Sequence, residues 1–318
     1  MANLNSLYTE ATWSTDKYFS KKVTDNFFSS NPVTYMLKRN AKTINGGEAL
    51  AMSMIYDDAE GEWFSEWDTY ANVDKAQLGA AQLDWKLYTV PVVMSNLQLL
   101  KNSDSPERRY DLAMQKNLVA AKTAANDFGT ALWVANATYT AGSMEAIDTL
   151  DLAIAAGTTT YANVTRAASP AVQAVWLSNV DSTTTTLSLS ALQTNFGAAS
   201  QGNERPNLIV TTQANYNRIF DLYTPVQRIG SDELGKLGFT SLMFNSAPVV
   251  VDSHVAAGYL YGLNMNHIEL VAHREAFFSF EKYVVPSTQW VSIGRYFFMG
   301  NVLCHAPRYQ FKMTAITA

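Results

Sequence analysis

The side chains best suited to metal binding or nucleophilic chemistry are few and scattered. His254, His267, His273 and His305 are the four histidines, and Cys304 is the one cysteine. His267 and His273 stand six residues apart across an expected strand. That spacing gives them one face but holds them too far apart to share a metal ion. Asp252-Ser253-His254 contains the letters of a hydrolytic triad, but successive strand side chains point to opposite faces, so no relay is expected there. A lone cysteine allows neither an intrachain disulfide nor a cysteine-based zinc site, and its apolar neighbours suggest a buried thiol. No Walker phosphate loop, GxSxG, HExxH or calcium loop occurs. The sequons Asn136-Ala137-Thr138 and Asn163-Val164-Thr165 matter only in a secreted chain, and the first residues, MANLNSLYTEATWSTD, have neither a basic nor an apolar leader region. The expectation is no catalytic residue, no metal site and no cofactor, which moves weight toward a structural protein.

Composition points the same way. The 318 residues carry 23 Lys+Arg and 28 Asp+Glu, a net charge of −5, with 47% hydrophobic and 16% charged residues. Length suggests about two domains with sizeable cores, and the apolar fraction excludes a disordered chain. No stretch reaches the ~18 apolar residues of a membrane span, so no membrane partner is expected and a reducing compartment fits the cysteine usage. The basic pairs Lys21-Lys22, Lys38-Arg39 and Arg108-Arg109 are the longest basic runs. Tight DNA binding is therefore disfavoured, while weak contact of one face with packed nucleic acid is not. A low charge fraction suits a surface covered by copies of itself, or one that uses Ser, Thr and Asn instead.

The elements that would position such surfaces can be read in order. Residues 1–46 form a polar arm with a short helical stretch after Asn31-Pro32, ended by Gly46-Gly47. Alternation over Leu50 to Tyr56 and again over Leu83 to Val90 predicts a long two-stranded hairpin. Its tip, Asp57 to Gln82, holds Glu60, Glu62, Glu66, Asp68 and Asp74 with Trp63, Phe64 and Trp67. An isolated ribbon is marginal in water, so the aromatics lie either on their own body or on a partner. Ser105-Pro106-Glu107 starts a helix, and the stripe Tyr110, Met114, Leu118, Ala121, Ala125, Phe128, Leu132 carries it as a strut to about Val134. Residues 140–265, rich in Ser, Thr and Ala, read as an α/β domain. Strands are expected at Leu208 to Thr211, Pro248 to Val251, Tyr259 to Leu263 and Ile268 to Ala272. Aromatic strands follow at Ala276 to Val285, Trp290 to Phe298, Val302 to Cys304 and Gln310 to Ile316, and a helix spans Gln213 to Tyr223.

This order resembles the major capsid protein of tailed bacteriophages, the Hong Kong 97-like coat fold. Gly46-Gly47, Trp85 to Val92, Thr160 to Arg166 followed by Trp176, and Pro206 to Thr212 with Tyr216 carry the resemblance. Ala247 to Asp252, Leu260 to Asn264 and Gly300 to Cys304 complete it from about residue 25 onward. Ala162-Asn163 stands where related coats often have paired glycines.

The resemblance implies an α+β fold of four parts. These are an amino-terminal arm (1–46), an extended β-hairpin loop (47–96), a peripheral domain with a long spine helix (97–139 and 266–303), and an axial α/β domain (140–265 and 304–318). It implies hexamers and pentamers closing an icosahedral shell around double-stranded DNA, assembled in the bacterial host cytoplasm, with weak non-specific DNA contact. Partners would be the chain itself, a portal, a separate scaffold or none, and a decoration protein in some relatives. Expected inter-subunit contacts are Trp63, Phe64, Glu66, Trp67 and Asp68 on the loop, and Arg108, Arg109, Lys116 and Lys122 on the spine helix. Some relatives weld the shell by a lysine–asparagine bond, for which Lys75 and Asn301 are the nominees. Alternatives are an encapsulin-type nanocompartment shell, a tail or sheath component, and a hydrolase or transferase.

Overall fold

The computed structural model describes residues 32–59, 61–69, 74–101, 112–133, 146–167, 174–227 and 242–317. Helix α1 (Pro32–Arg39) and the short strand β1 (Lys42–Ile44) lead into β2 (Leu50–Ile55), which pairs antiparallel with β3 (Leu78–Leu83) from Leu50↔Leu83 to Ile55↔Leu78. The returning hairpin strand is thus the small-residue run Leu78–Leu83, not Leu83 to Val90. The latter run belongs to β4 (Lys86–Ser95), which pairs with β14 (Val291–Cys304) across ten residue pairs from Gly300↔Lys86 to Val291↔Ser95. Alternation shows the strand character of Leu83 to Val90 but not of Leu78–Leu83, and it does not choose a partner, which length and burial decide. Val90, Val92 and Met94 bury one face of β4, which lies in a larger sheet than the hairpin.

Strand β14 is the spine of a five-stranded sheet. Along its other edge run β12 (Ile268–His273) and β13 (Ser279–Val284), and β1 adds in parallel beside β12. Gly300 is needed where β14 passes β12, because a Cβ there would stand 2.5 Å from the Val271 carbonyl oxygen. Pro91 lies mid-way along β4, a position open to proline because this strand pairs on one side only.

After the short helix α2 (Asn96–Lys101), α3 (Leu112–Trp133) crosses one face of this sheet. Its buried stripe is Ala120, Ala124, Phe128 and Leu132, with Ala120 and Ala124 against Val90 and Val92. The expected stripe is corrected at its first positions: Met114, Leu118, Ala121 and Ala125 are exposed. In an alanine-rich helix two neighbouring stripes have nearly equal hydropathy. The one with alanines over the sheet wins, because it lets the backbone approach closely.

A six-stranded sheet forms the second layer, in the order β7 (Asn179–Asp181), β15 (Phe311–Met313), β11 (Leu260–Leu263), β8 (Leu208–Thr211), β10 (Ala247–Val251), β9 (Met243–Phe244). Helices α4 (Leu150–Ala153), α5 (Leu189–Ala198) and α6 (Gln213–Gln227) accompany it. Between the sheets, β5 (Thr160–Tyr161) and β6 (Val164–Thr165) form a tight hairpin. Its turn residues Ala162 and Asn163 have φ of 53° and 61°, a left-handed pair of the kind two-residue hairpins demand, so paired glycines are not required here. Beside it Arg166 is fully buried and spends its guanidinium on the carbonyls of Trp176, Leu152 and Ala153 and the hydroxyl of Thr159. The Gln82 amide donates to the Ala162 carbonyl at 2.9 Å, so this hub also seats the base of the β2–β3 hairpin.

Candidate subunit interface

The hairpin is built to be firm at its base and bare at its end. Leu50, Met52, Met54, Ala81 and Leu83 are buried in the main core, and the Trp85 indole donates to the Gly47 carbonyl at 2.8 Å. Beyond Met54 the burial stops: the facing pair Ile55 and Leu78 is 72% and 75% exposed. The Asp68 amide donates to the Ser65 carbonyl at 3.0 Å and the Ser65 amide donates to the Asp68 carboxylate at 2.9 Å. That reciprocal turn presents Glu66 and Trp67 at its apex. Trp63 is fully exposed, Trp67 is 90% exposed and Phe64 is 65% exposed. In the single subunit these aromatics are therefore not folded back on the body. Glu62, Glu66 and Asp68 stand exposed among them, so the tip is both apolar and acidic.

The helix residues expected as inter-subunit contacts are placed differently. Arg108 and Arg109 lie outside the described residues. Lys116 is half-buried and donates to the Val93 carbonyl of its own subunit at 2.8 Å, and Lys122 is half-buried on the same helix. Reading the sequence missed a second surface, on the opposite side of the five-stranded sheet. There Leu87, Val93 and Val284 are 70%, 46% and 61% exposed, joined by half-buried Ile293, Phe297 and Met299. The outward phase of the β4 alternation was the available signal, and assigning that strand to the hairpin hid it.

The chemistry-bearing side chains are absorbed into the fold. Contrary to the strand argument, Asp252 and His254 do meet, because β10 ends at Val251 and the chain turns. His254 Nδ1 lies 3.0 Å from Asp252 Oδ1 and its Nε2 lies 3.0 Å from Asn126 Oδ1. The Trp133 indole donates to the other Asp252 oxygen at 3.2 Å, so the pair ties α3 to the six-stranded sheet and does not activate Ser253. His267 Nε2 lies 3.0 Å from Glu204 and His305 Nε2 lies 3.3 Å from Glu269. Hydrogen bonds from Asn264 and His267 hold Glu204 below the usual carboxylate range. Cys304 is buried, and burial pushes its thiol up to about 12. Asn301 is fully buried; its amide donates to the Asp84 carbonyl at 3.0 Å and to Asp148 at 2.7 Å. It is corrected as a welding partner for Lys75, since its carboxamide is enclosed and already bonded. Among the described residues no group of three or more His, Cys, Asp or Glu could hold a metal ion, and no helix is long and apolar enough to cross a membrane. A cavity of about 230 Å³ between β4 and α3 is lined by Tyr88, Asp127, Phe128, Ile147 and Phe298, and its one acid accepts the Tyr88 hydroxyl at 2.7 Å.

No protein-family model and no curated protein matches the chain. Solved structures do, over its whole length. The capsid asymmetric unit of cyanophage A-1(L) superposes with a TM-score of 0.72 at 16% identity, covering 99% of this chain and 100% of that one. The chain has the fold of a phage capsid subunit. The capsid of the native GTA particle covers 100% of both chains at 10% identity and a TM-score of 0.63. The SrpI encapsulin of Synechococcus elongatus PCC 7942 covers 96% of this chain and 94% of its own at 6% identity and a TM-score of 0.61. Within this capsid fold, the exposed β2–β3 hairpin and the bare sheet face are two surfaces that the described residues of a lone subunit leave uncovered.

Proposed function

We propose that the chain is the major capsid protein of a tailed double-stranded DNA bacteriophage, of the Hong Kong 97-like kind, forming hexamers and pentamers of an icosahedral shell. The observation that carries this reading is the firmly seated hairpin ending in exposed Trp63, Phe64 and Trp67, on a chain whose fold follows phage capsid subunits from end to end. In it, residues 1–46 act as the arm, β2–β3 with its tip as the extended loop, the five-stranded sheet with α3 as the peripheral domain, and the six-stranded sheet as the axial domain. The chain catalyses nothing and needs no cofactor.

Energetics support cooperative assembly. Burying the three aromatics removes roughly 500 Å² of surface, about 12 kcal/mol gross. Association costs on the order of 4–15 kcal/mol in lost freedom. One loop contact is near balance, so isolated pairs of subunits stay weak, while a closed shell gives each subunit several contacts at once. Scaffold, portal and decoration proteins belong to this reading as partners, assembly takes place in the host cytoplasm, and packaged DNA makes only weak non-specific contact with a net-acidic wall.

The encapsulin neighbour favours a second reading, a nanocompartment shell. Particles purified from the expressed protein and from its native source separate the two. Nuclease-protected double-stranded DNA in the native particles supports the capsid; a stoichiometric protein cargo without DNA supports the compartment. Tubes in place of closed shells overturn both.

A further inference from the structure

We propose that Arg295 sets the register of the inter-subunit contact, by receiving the acidic hairpin tip of a second copy on the face of the five-stranded sheet opposite α3. This rests on the shell reading and names the acceptor that reading leaves open.

The side-chain alternation and the pairing register define the face. Val90 and Val92 pack on α3, so Leu87, Thr89, Pro91 and Val93 point the other way. Their partners on β14 are Met299, Phe297, Arg295 and Ile293, and Glu281 and Val284 continue the rows on β13. Side chains directly opposite in paired strands share a face. Arg295 is therefore the single cation among these outward positions. It is exposed, and among the described residues it makes no ion pair, although Glu281 stands opposite it in the ladder. A largely apolar face with the exposed Arg295 guanidinium at its middle, and Glu281 as the acid opposite it, complements a tip in which tryptophans alternate with carboxylates.

Both surfaces are uncovered in the single chain, so the same subunit does not join them. The two tryptophans offer about 300–500 Å². With the exposed flank of Ile55 and Leu78 this approaches the ~800 Å² per partner of a standard interface. The apolar part supplies contact area but no direction. A guanidinium donating to a carboxylate is directional and bidentate, so the one cation among these outward positions selects where along the face the tip comes to rest. The half-buried helix side, where Lys116 is spent on Val93, offers less.

The test uses the whole chain and cysteine pairs, since the native thiol is buried. Glu66→Cys with Arg295→Cys, oxidised in assembled particles, is expected to give a ladder of covalent oligomers on denaturing gels. Glu66→Cys with Lys122→Cys is expected to give none. Arg295→Glu should lower particle yield at least tenfold, and adding Glu66→Arg in the same chain, which leaves the Asp68 turn intact, should restore it. Particles that form normally with Arg295→Glu, that cross-link through Lys122→Cys, or that are not restored by the charge swap overturn the acceptor while leaving the shell reading intact. Failure of the unmodified chain to form particles at all overturns the shell reading itself. Cross-linking of Arg295→Cys to a cysteine placed in residues 1–31 would assign the face to the arm and overturn the proposal too.

Discussion

Replacing Trp63 and Trp67 with alanine separates folding from assembly. Both indoles are bare in the subunit, at 90% exposure or more, so their loss removes almost no contact within it. Substitutions at such positions stay within about 0.5 kcal/mol, which moves the melting temperature of an unassembled subunit by less than about 2 °C. In a shell each indole buries ~150–250 Å², a ceiling of about 4–6 kcal/mol at 25 cal/mol per Å². Interface truncations of this kind usually deliver about 2–4 kcal/mol. Taking ~2 kcal/mol per indole and 1.4 kcal/mol per decade, each substitution weakens a loop contact about 30-fold. The assay is a concentration series of dissociated subunits followed by light scattering and pelleting, with thermal unfolding of the same material by circular dichroism. The expected result is a threshold concentration raised at least 30-fold for the double variant at an unchanged subunit melting temperature. A fall of several degrees in melting temperature, or an unchanged threshold, refutes the reasoning, because the tryptophans would then pack within their own chain or nowhere.

Arg166→Met takes the guanidinium donor from three main-chain carbonyls, at ~1–3 kcal/mol each, although that of Ala153 keeps the Ser178 hydroxyl, and should cost the subunit about 3 kcal/mol or more in urea unfolding. Although burial pushes Asp181 upward, hydrogen bonds from Thr184, Asn195 and Thr183 outweigh it and hold the carboxyl well below its ordinary range. A depressed carboxylate stabilises above its unfolded value near ~4 and loses that contribution as pH falls further. Asp181→Asn should therefore be less stable than the natural chain at pH 7, with the gap closing as pH is taken below about 4 in unfolding measurements. Cys304, its thiol raised to about 12 by burial, should stay unreactive toward an aromatic disulfide reagent at pH 8 in the folded protein and react with one equivalent on unfolding.

Local pattern exposed the elements, and tertiary choice hid their partners. Leu208 to Thr211, the helix from Gln213 and the C-terminal strands lie where hydropathy and turn residues place them. The return strand Leu78–Leu83 was missed because Gly79, Ala80 and Ala81 have little β-propensity of their own; they are held by pairing with Met52 to Met54 and, at Gly79, by the Tyr56 ring beside it. The strand Lys86–Ser95 was recognised but given the wrong partner, and with it the outward row of Leu87 and Val93 was lost. Asp252 and His254 were separated by assuming the strand continued through them. Residue type singled out Trp63 and Trp67 among the acids of the tip but left open whether they lie on their own body or on a partner, and their exposure is what the structure adds. In the proposed shell, what covers them is a property of two chains, and a single sequence encodes it only as complementarity.

The central claim is that this subunit leaves its hairpin for a neighbour to complete. Electron cryomicroscopy of the purified protein above its assembly threshold tests it most directly. The account predicts closed shells in which density for Trp63 and Trp67 lies on the sheet of an adjacent copy. Single subunits persisting at millimolar concentration, with the two indoles enclosed by their own chain, would contradict it.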